Sequence, residues 1–171
     1  MSRYFTIDEM RCKSGAEYPA VWVPDRLKAL TTALDAIRDA WDGPITVVCG
    51  YRTAAYNAAL VEASRKRNGG VSGVATDSQH VYGRAADIRP GAPTVERVTE
   101  LHRLTRELYD RGVIRIGGLG LYPGWIHVDV RAGDRLATWG GTGMGESPEG
   151  AHVAHRPSKR SVGISHAGHA R

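Results

Sequence analysis

The chain has 171 residues, 42% of them apolar, which is enough to bury a hydrophobic core as one domain without disulfide staples. No apolar run approaches the roughly 20 residues that cross a bilayer, and the start, MSRYFTIDEMRCKSG, lacks the apolar stretch of a secretory signal. A net charge of +5 leans weakly toward anionic partners, but the basic residues form no patch that the sequence can locate.

In chain order, PDRLKALTTALDAIRDAW (24–41) spaces Leu27, Leu30, Leu34, Ile37 and Trp41 three or four apart, the stripe of an amphipathic helix, with Asp25 as its expected N-cap. Gly43-Pro44 stops that helix, and ITVVCGY follows as a β-branched strand. Its Cys49, like Cys12 before it, has no C-x-x-C partner and reads as a small apolar residue. AAYNAALVEASRKR predicts a short second helix ended by Asn68-Gly69-Gly70. The Arg65-Lys66-Arg67 cluster suits the negative end of that helix dipole and requires no nucleic acid.

RAADIRP predicts a strand closed by Pro90. Thr94 is placed to cap a third helix, with Val95, Val98, Leu101, Leu104 and Leu108 as its buried face and Gly112 at its end. GVIRIGGLGLYPGWIHVDVR predicts two strands joined at Pro123-Gly124. Helices mixed with hairpin-paired strands give an α+β domain with a mostly antiparallel sheet and flanking helices. After Trp139 the composition turns to Gly, Ser, His and Pro with almost no large apolar residues, so a folded domain is expected over 1–139 and a disordered tail over 140–171. The tail histidines His152, His155, His166 and His169 have no scaffold to fix them and are not expected to hold a metal.

Side chains alternate along a strand, so WIHVDVR sends Trp125, His127, Asp129 and Arg131 to one face and Ile126, Val128 and Val130 to the core. The first face then looks onto a cleft or solvent, which by itself is also the ordinary outer surface of a sheet. SQHVYGRAAD (78–87) adds His80 and Asp87, with Gly83 to turn the chain between them and Ala85 and Ala86 leaving room. Imidazole nitrogens and carboxylate oxygens are zinc donors, and His80, Asp87 and His127 would supply the three protein ligands of a catalytic site. A surface hydrogen bond is the plainer alternative for any one His/Asp pair, and spacing alone leaves both open.

The three motifs together resemble one family. SQHVYGRAAD matches S-x-H-x-x-G-x-A-x-D, CGYRTAAYN is similar to G-Y-R-[ST]-x-x-Y-N, and GLGLYPGWIHVDVR resembles the closing histidine-bearing strand of the zinc D-alanyl-D-alanine carboxypeptidases. The resemblance to this M15-like family, whose scaffold the Hedgehog signalling domain shares, covers residues 4–139 with the elements in order. It implies a Hedgehog/DD-peptidase-like fold, a zinc ion, and His80, Asp87 and His127 as its ligands. It further implies that Arg52 faces the scissile carbonyl, where a fixed guanidinium stabilises a developing oxyanion, and that Ser78 contacts the substrate or supports the first ligand.

One departure stands out. The family's usual general base lies three residues before the last histidine, a position that here is Gly124. Asp129 is the nearest carboxylate and is taken as the base, with an imidazole-orienting role as the alternative and Asp77 also open. Tyr122 and Trp125 either wall the cleft or pack beside it.

The expected function is that of a zinc metallopeptidase cleaving peptidoglycan stem peptides, as a D-Ala-D-Ala carboxypeptidase or a related murein endopeptidase. Gly124 motivates the alternative of a non-catalytic, zinc-stabilised binding module of the same fold. The expected partner is the peptidoglycan peptide, with no nucleic acid, no transmembrane segment and a monomeric state. Localisation is left open between the cytoplasm and release to the cell wall by a partner-dependent route.

Overall fold

The computed structural model describes residues 2–140. Three helices, α1 (Lys28–Ala40), α2 (Ala54–Arg67) and α3 (Val95–Asp110), alternate with strands β1 (Ile45–Cys49), β2 (Ala85–Pro90), β3 (Gly118–Tyr122), β4 (Trp125–Asp129) and β5 (Ala137–Gly140). The strands form one sheet in the order β1-β2-β4-β3-β5. The pairs β1–β2, β2–β4 and β3–β4 are antiparallel and β3–β5 is parallel, so the fold is α+β with a mostly antiparallel sheet. Gly140 ends β5, and the rest of the 140–171 segment, its four histidines included, lies outside the described residues.

One face of the sheet carries the core. Helix α3 lies against β2, β3 and β4, and α1 packs on α3. Leu30, Leu34 and Ile37 from α1 and Val98, Leu101 and Leu108 from α3 meet Ala86, Ile88, Leu119, Ile126 and Val128 from the sheet. These are the apolar stripes and the alternating strand residues that the sequence pattern picks out.

The helix caps follow local chemistry. Thr94 accepts a hydrogen bond from the Arg97 amide (3.3 Å) and Thr53 one from the Tyr56 amide (3.1 Å), each satisfying an otherwise orphaned donor. Asp25 does not cap α1. The chain already turns helically through Ala20–Trp22, and a single wide turn, Val23–Leu27, precedes the regular helix. Pro24 sits in that turn, where its missing N–H costs nothing, and the Asp25 carboxylate accepts from the neighbouring Arg26 amide at 2.6 Å.

Two features were not anticipated from sequence. Strand β5 has only four residues, mostly exposed, and forms as a parallel partner of β3. Residues 3–19 have one short helical turn, Asp8–Met10, and no other helix or strand, yet Phe5, Met10, Cys12 and Tyr18 are buried against the domain. The backbone anchors this segment: the Tyr51 amide donates to the Met10 carbonyl (2.8 Å), and a Cβ on Gly50 would overlap the Met10 backbone.

Truncating the fully buried Leu101 to alanine is expected to cost about 2–5 kcal/mol of unfolding free energy, as cavity-forming core substitutions do. Thr94→Ala removes only a cap and is expected to cost about 1 kcal/mol. Urea denaturation followed by far-UV circular dichroism checks both, and equal losses would refute this division of roles.

Candidate metal centre

The antiparallel pairing of β2 with β4 sets Asp87 directly opposite His127. His80 reaches the same point from the turn before β2. There the Val81 amide donates to the Ser78 carbonyl (2.9 Å), the Gly83 amide to the His80 carbonyl (3.1 Å) and the Arg84 amide to the Gln79 carbonyl (3.0 Å). Gly83 has φ +63°, a conformation suited to glycine, and a Cβ there would fall 2.7 Å from the Tyr18 hydroxyl oxygen. Tyr18 in turn donates that hydroxyl to the Gly83 carbonyl, so the N-terminal segment clamps the turn from outside.

Three donor atoms therefore converge. His80 Nε2 lies 3.2 Å from Asp87 Oδ1 and 3.2 Å from His127 Nδ1, and His127 Nδ1 lies 3.0 Å from the same carboxylate oxygen. His80 is 2% exposed, and Asp87 and His127 are also buried. The far-side partners fix the tautomers. His80 Nδ1 must carry a proton, because it faces the Gly50 carbonyl at 2.6 Å. His127 Nε2 donates to Asp129 Oδ2 at 3.1 Å.

With both imidazoles neutral, the atoms left facing one another are two ring-nitrogen lone pairs and a carboxylate oxygen, with no hydrogen between them. Such a buried trio calls for a cation or an added proton. A tetrahedral zinc ion with bonds of about 2.0–2.1 Å holds its ligand atoms roughly 3.3 Å apart, close to the spacing found here. His80, Asp87 and His127 thus fit a divalent metal in number, chemistry and separation.

The titration behaviour has the same origin. Burial would raise the Asp87 pKa, but His80 and His127 outweigh it and hold the carboxyl well below its usual range. Burial pushes His80 down, with Asp87 opposing. Burial also acts to lower His127, but the hydrogen bonds that its protonated ring would make to Asp129 and Asp87 prevail and raise it.

The second oxygen of Asp87 is held separately. Arg52 Nη2 donates to Asp87 Oδ2 at 3.1 Å and Arg52 Nε to Cys49 Sγ at 3.2 Å, while Asn57 Oδ1 lies 3.5 Å from Nη1. Cys49 pairs with Asp87 across β1 and β2, and its sulfur comes within 4.8 Å of donor atoms of His80 and Asp87. The guanidinium that bridges thiol and carboxylate already supplies positive charge on this side, and burial raises the Cys49 thiol pKa, so the sulfur serves as an acceptor for Arg52. Sequence reasoning passed over Cys49; its one signal was its place immediately before Gly50-Tyr51-Arg52.

Asp129 lies on the other side of the cluster, at the far nitrogen of His127. It is fully buried, and Arg131 grips both its oxygens, with Nε at 2.8 Å from Oδ1 and Nη2 at 2.5 Å from Oδ2. Burial alone would raise its pKa, but His127 and Arg131 hold the carboxyl well below the usual range. At His127 and Asp129 the site face of β4 is therefore buried, while Trp125 and Arg131 on either side are half-buried. Gly118 and Gly120, opposite Asp129 and His127 on β3, make that possible. A Cβ on Gly118 would overlap the Asp129 carboxylate, and one on Gly120 would overlap the Trp139 indole.

Ser78 is buried at the start of the turn that carries His80, where its carbonyl accepts from the Val81 amide. Asp77 is exposed and accepts the Tyr82 hydroxyl at 2.8 Å. Gly124 is in the β3–β4 turn.

Comparison with known proteins gives the constellation its context. Over 100 residues the chain is 36% identical to the "Probable peptidoglycan L,D-endopeptidase MepK" of Haemophilus influenzae, an overlap of 57% of this chain and 43% of that protein. The chain thus spans less than half the length of that curated relative. The crystal structure of the Serratia marcescens L-Ala D-Glu endopeptidase ChiX aligns with a TM-score of 0.47 and 15% identity, over 63% of this chain and 85% of that one. A family model described as peptidase M15 matches residues 3–129, most of the chain and every residue from Arg52 to Asp129 discussed above, and the chain belongs to the M15 peptidase family.

Proposed function

We propose that the chain is a zinc-dependent peptidase acting on the stem peptides of peptidoglycan, with His80, Asp87 and His127 as the metal ligands. The observation that carries this reading is the convergence of three acceptor atoms, each 3.0–3.2 Å from the others, in a buried site. Bound there, zinc would polarise the scissile carbonyl and lower the pKa of water toward neutrality. The L,D-endopeptidase name of the H. influenzae relative favours an internal peptide bond over a terminal D-Ala as the point of cleavage.

The protein's own residues divide the remaining work. Arg52 is held by Asp87, Cys49 and Asn57 through Nη2, Nε and Nη1, and the one N–H left on each Nη is offered to the substrate carbonyl, where charge develops as the bond is attacked. Ser78 contributes at the substrate side of the ligand turn. Asp129 acts as a positioning residue rather than the general base: it fixes the His127 proton on Nε2 and so leaves Nδ1 free to bind metal. A carboxylate kept ionised by His127 and Arg131 is a weak proton acceptor.

His80→Ala and Asp87→Ala are each expected to remove stoichiometric zinc, read by metal analysis of purified protein, and to abolish turnover. Full zinc with full turnover in either variant would overturn the ligand assignment. Asp129→Asn is expected to weaken zinc about 10–100-fold in a competitive chelator titration, because the charged partner that orients His127 becomes a neutral amide. Unchanged zinc affinity with abolished turnover would instead return Asp129 to the role of base.

The substrate is tested by mass spectrometry of defined muropeptides after incubation with zinc-loaded and EDTA-treated protein. Cleavage of an internal stem-peptide bond, lost with EDTA, is the expected result. Stoichiometric zinc with no product from any muropeptide would favour the zinc-stabilised binding module, a reading that Gly124 at the family's usual acid position keeps in view.

A further inference from the structure

Beside the metal cluster stands an aromatic group that the proposed chemistry does not use. Tyr122 and Trp125 face each other at the ends of β3 and β4, their rings stacked at 5.2 Å with planes 15° apart. The Trp139 indole, over Gly120, donates its N–H to the Tyr122 hydroxyl at 2.9 Å and lies 5.2 Å from the His127 ring. Arg131 stacks over Trp139 at 5.6 Å. All three aromatic side chains are only half-buried.

This arrangement is fixed in several ways at once. Alternation along β3 and β4 puts Tyr122 and Trp125 on the same sheet face as His127. The parallel register of β5 brings Trp139 opposite Gly120, where the absent Cβ makes room for the indole. The hydrogen bond and the stacking then tie the three half-buried rings into one group that begins beside His127. Rigid rings of this kind offer large contact area at little conformational cost.

We propose that Tyr122, Trp125 and Trp139 form a subsite for a pyranose ring of the amino-sugar glycan to which the stem peptide is attached. The inference rests on the peptidoglycan reading above and deepens it. Stem peptides are built from alanine and from charged or amide-bearing residues, none with a flat apolar face to lay on an aromatic ring. A pyranose ring has such a face in its C–H bonds, with hydroxyl and acetamido groups around its edge. The Tyr122 hydroxyl and Arg131 Nη1, the guanidinium nitrogen that does not grip Asp129, are the polar groups beside the rings to meet those edge groups. Binding energy gathered away from the scissile bond would then hold the peptide over the metal cluster.

The test uses the full chain and a peptide-free tetrasaccharide of alternating N-acetylglucosamine and N-acetylmuramic acid, titrated by calorimetry. The intact protein is expected to bind it, with Trp125→Ala weaker by about tenfold and Trp125→Phe between the two. Circular dichroism and zinc content of each variant confirm that fold and metal centre persist. In parallel, kcat/KM is compared for a glycan-linked muropeptide and the same peptide freed of sugar. The preference for the linked form is expected to shrink in Trp125→Ala. Failure of the intact protein to bind the tetrasaccharide, or equal binding by Trp125→Ala, overturns the subsite even if both peptides are cleaved. Saccharide binding without cleavage of either peptide supports the subsite and counts against the peptidase.

Discussion

Two imidazole lone pairs and one carboxylate oxygen are pressed together in the interior, and neither ring has a proton to place between them. Each tautomer is decided outside the cluster. The Gly50 carbonyl claims the proton of His80 Nδ1, and the Asp129 carboxylate that of His127 Nε2. In a buried setting, water does little to screen the resulting repulsion. The demand for positive charge is thus built into the backbone and strand register, which is why so much of the surrounding structure can be read as support for three atoms.

That support explains an asymmetry in the sheet. One face is an ordinary apolar core under α1 and α3, and the other buries Asp87, His127 and Asp129. Burying ionised groups is tolerated only where partners are in place, and Arg52 and Arg131 supply them for Asp87 and Asp129 respectively. Room comes from Gly118 and Gly120. Glycine inside a strand weakens it by roughly 0.5–1 kcal/mol relative to alanine. These two positions are where the sequence departs from good strand chemistry, as is usual where a fold makes room for a functional site.

The parts of this architecture that follow a local rule were legible in the sequence. Thr94 caps α3, Gly83 turns the chain at positive φ, and alternation along β4 separates His127 and Asp129 from Ile126 and Val128. Convergence of His80, Asp87 and His127 has no local signal, because it depends on the β2–β4 register and on a turn closed by its own backbone; it came into view through three ordered motifs. Asp25 misled because a good capping residue stood one position after Pro24, inside a turn already begun. Strand β5 and the N-terminal segment were missed because neither shows periodicity. Trp139 and Cys49 matter through what they touch across the sheet, His127 and Tyr122 for one and Arg52 for the other, and pattern within a segment does not report such contacts.

The position of Asp129 is instructive for the same reason. From spacing, a carboxylate two residues beyond a histidine on the same strand face is a reasonable proton acceptor. In the folded chain it lies behind the ring, and the requirements of the two roles oppose each other. A general base must accept a proton near neutral pH, which is favoured by a carboxyl pKa raised toward that range. An anchor for a ligand imidazole must stay ionised, so that the ring proton never leaves the nitrogen on its side. Arg131 grips both oxygens of Asp129 and pushes it firmly toward the second condition. In the role proposed above, the Arg131 ion pair favours the ionised anchor, and the ring proton that Asp129 accepts from Nε2 leaves Nδ1 of the neutral His127 facing the cluster.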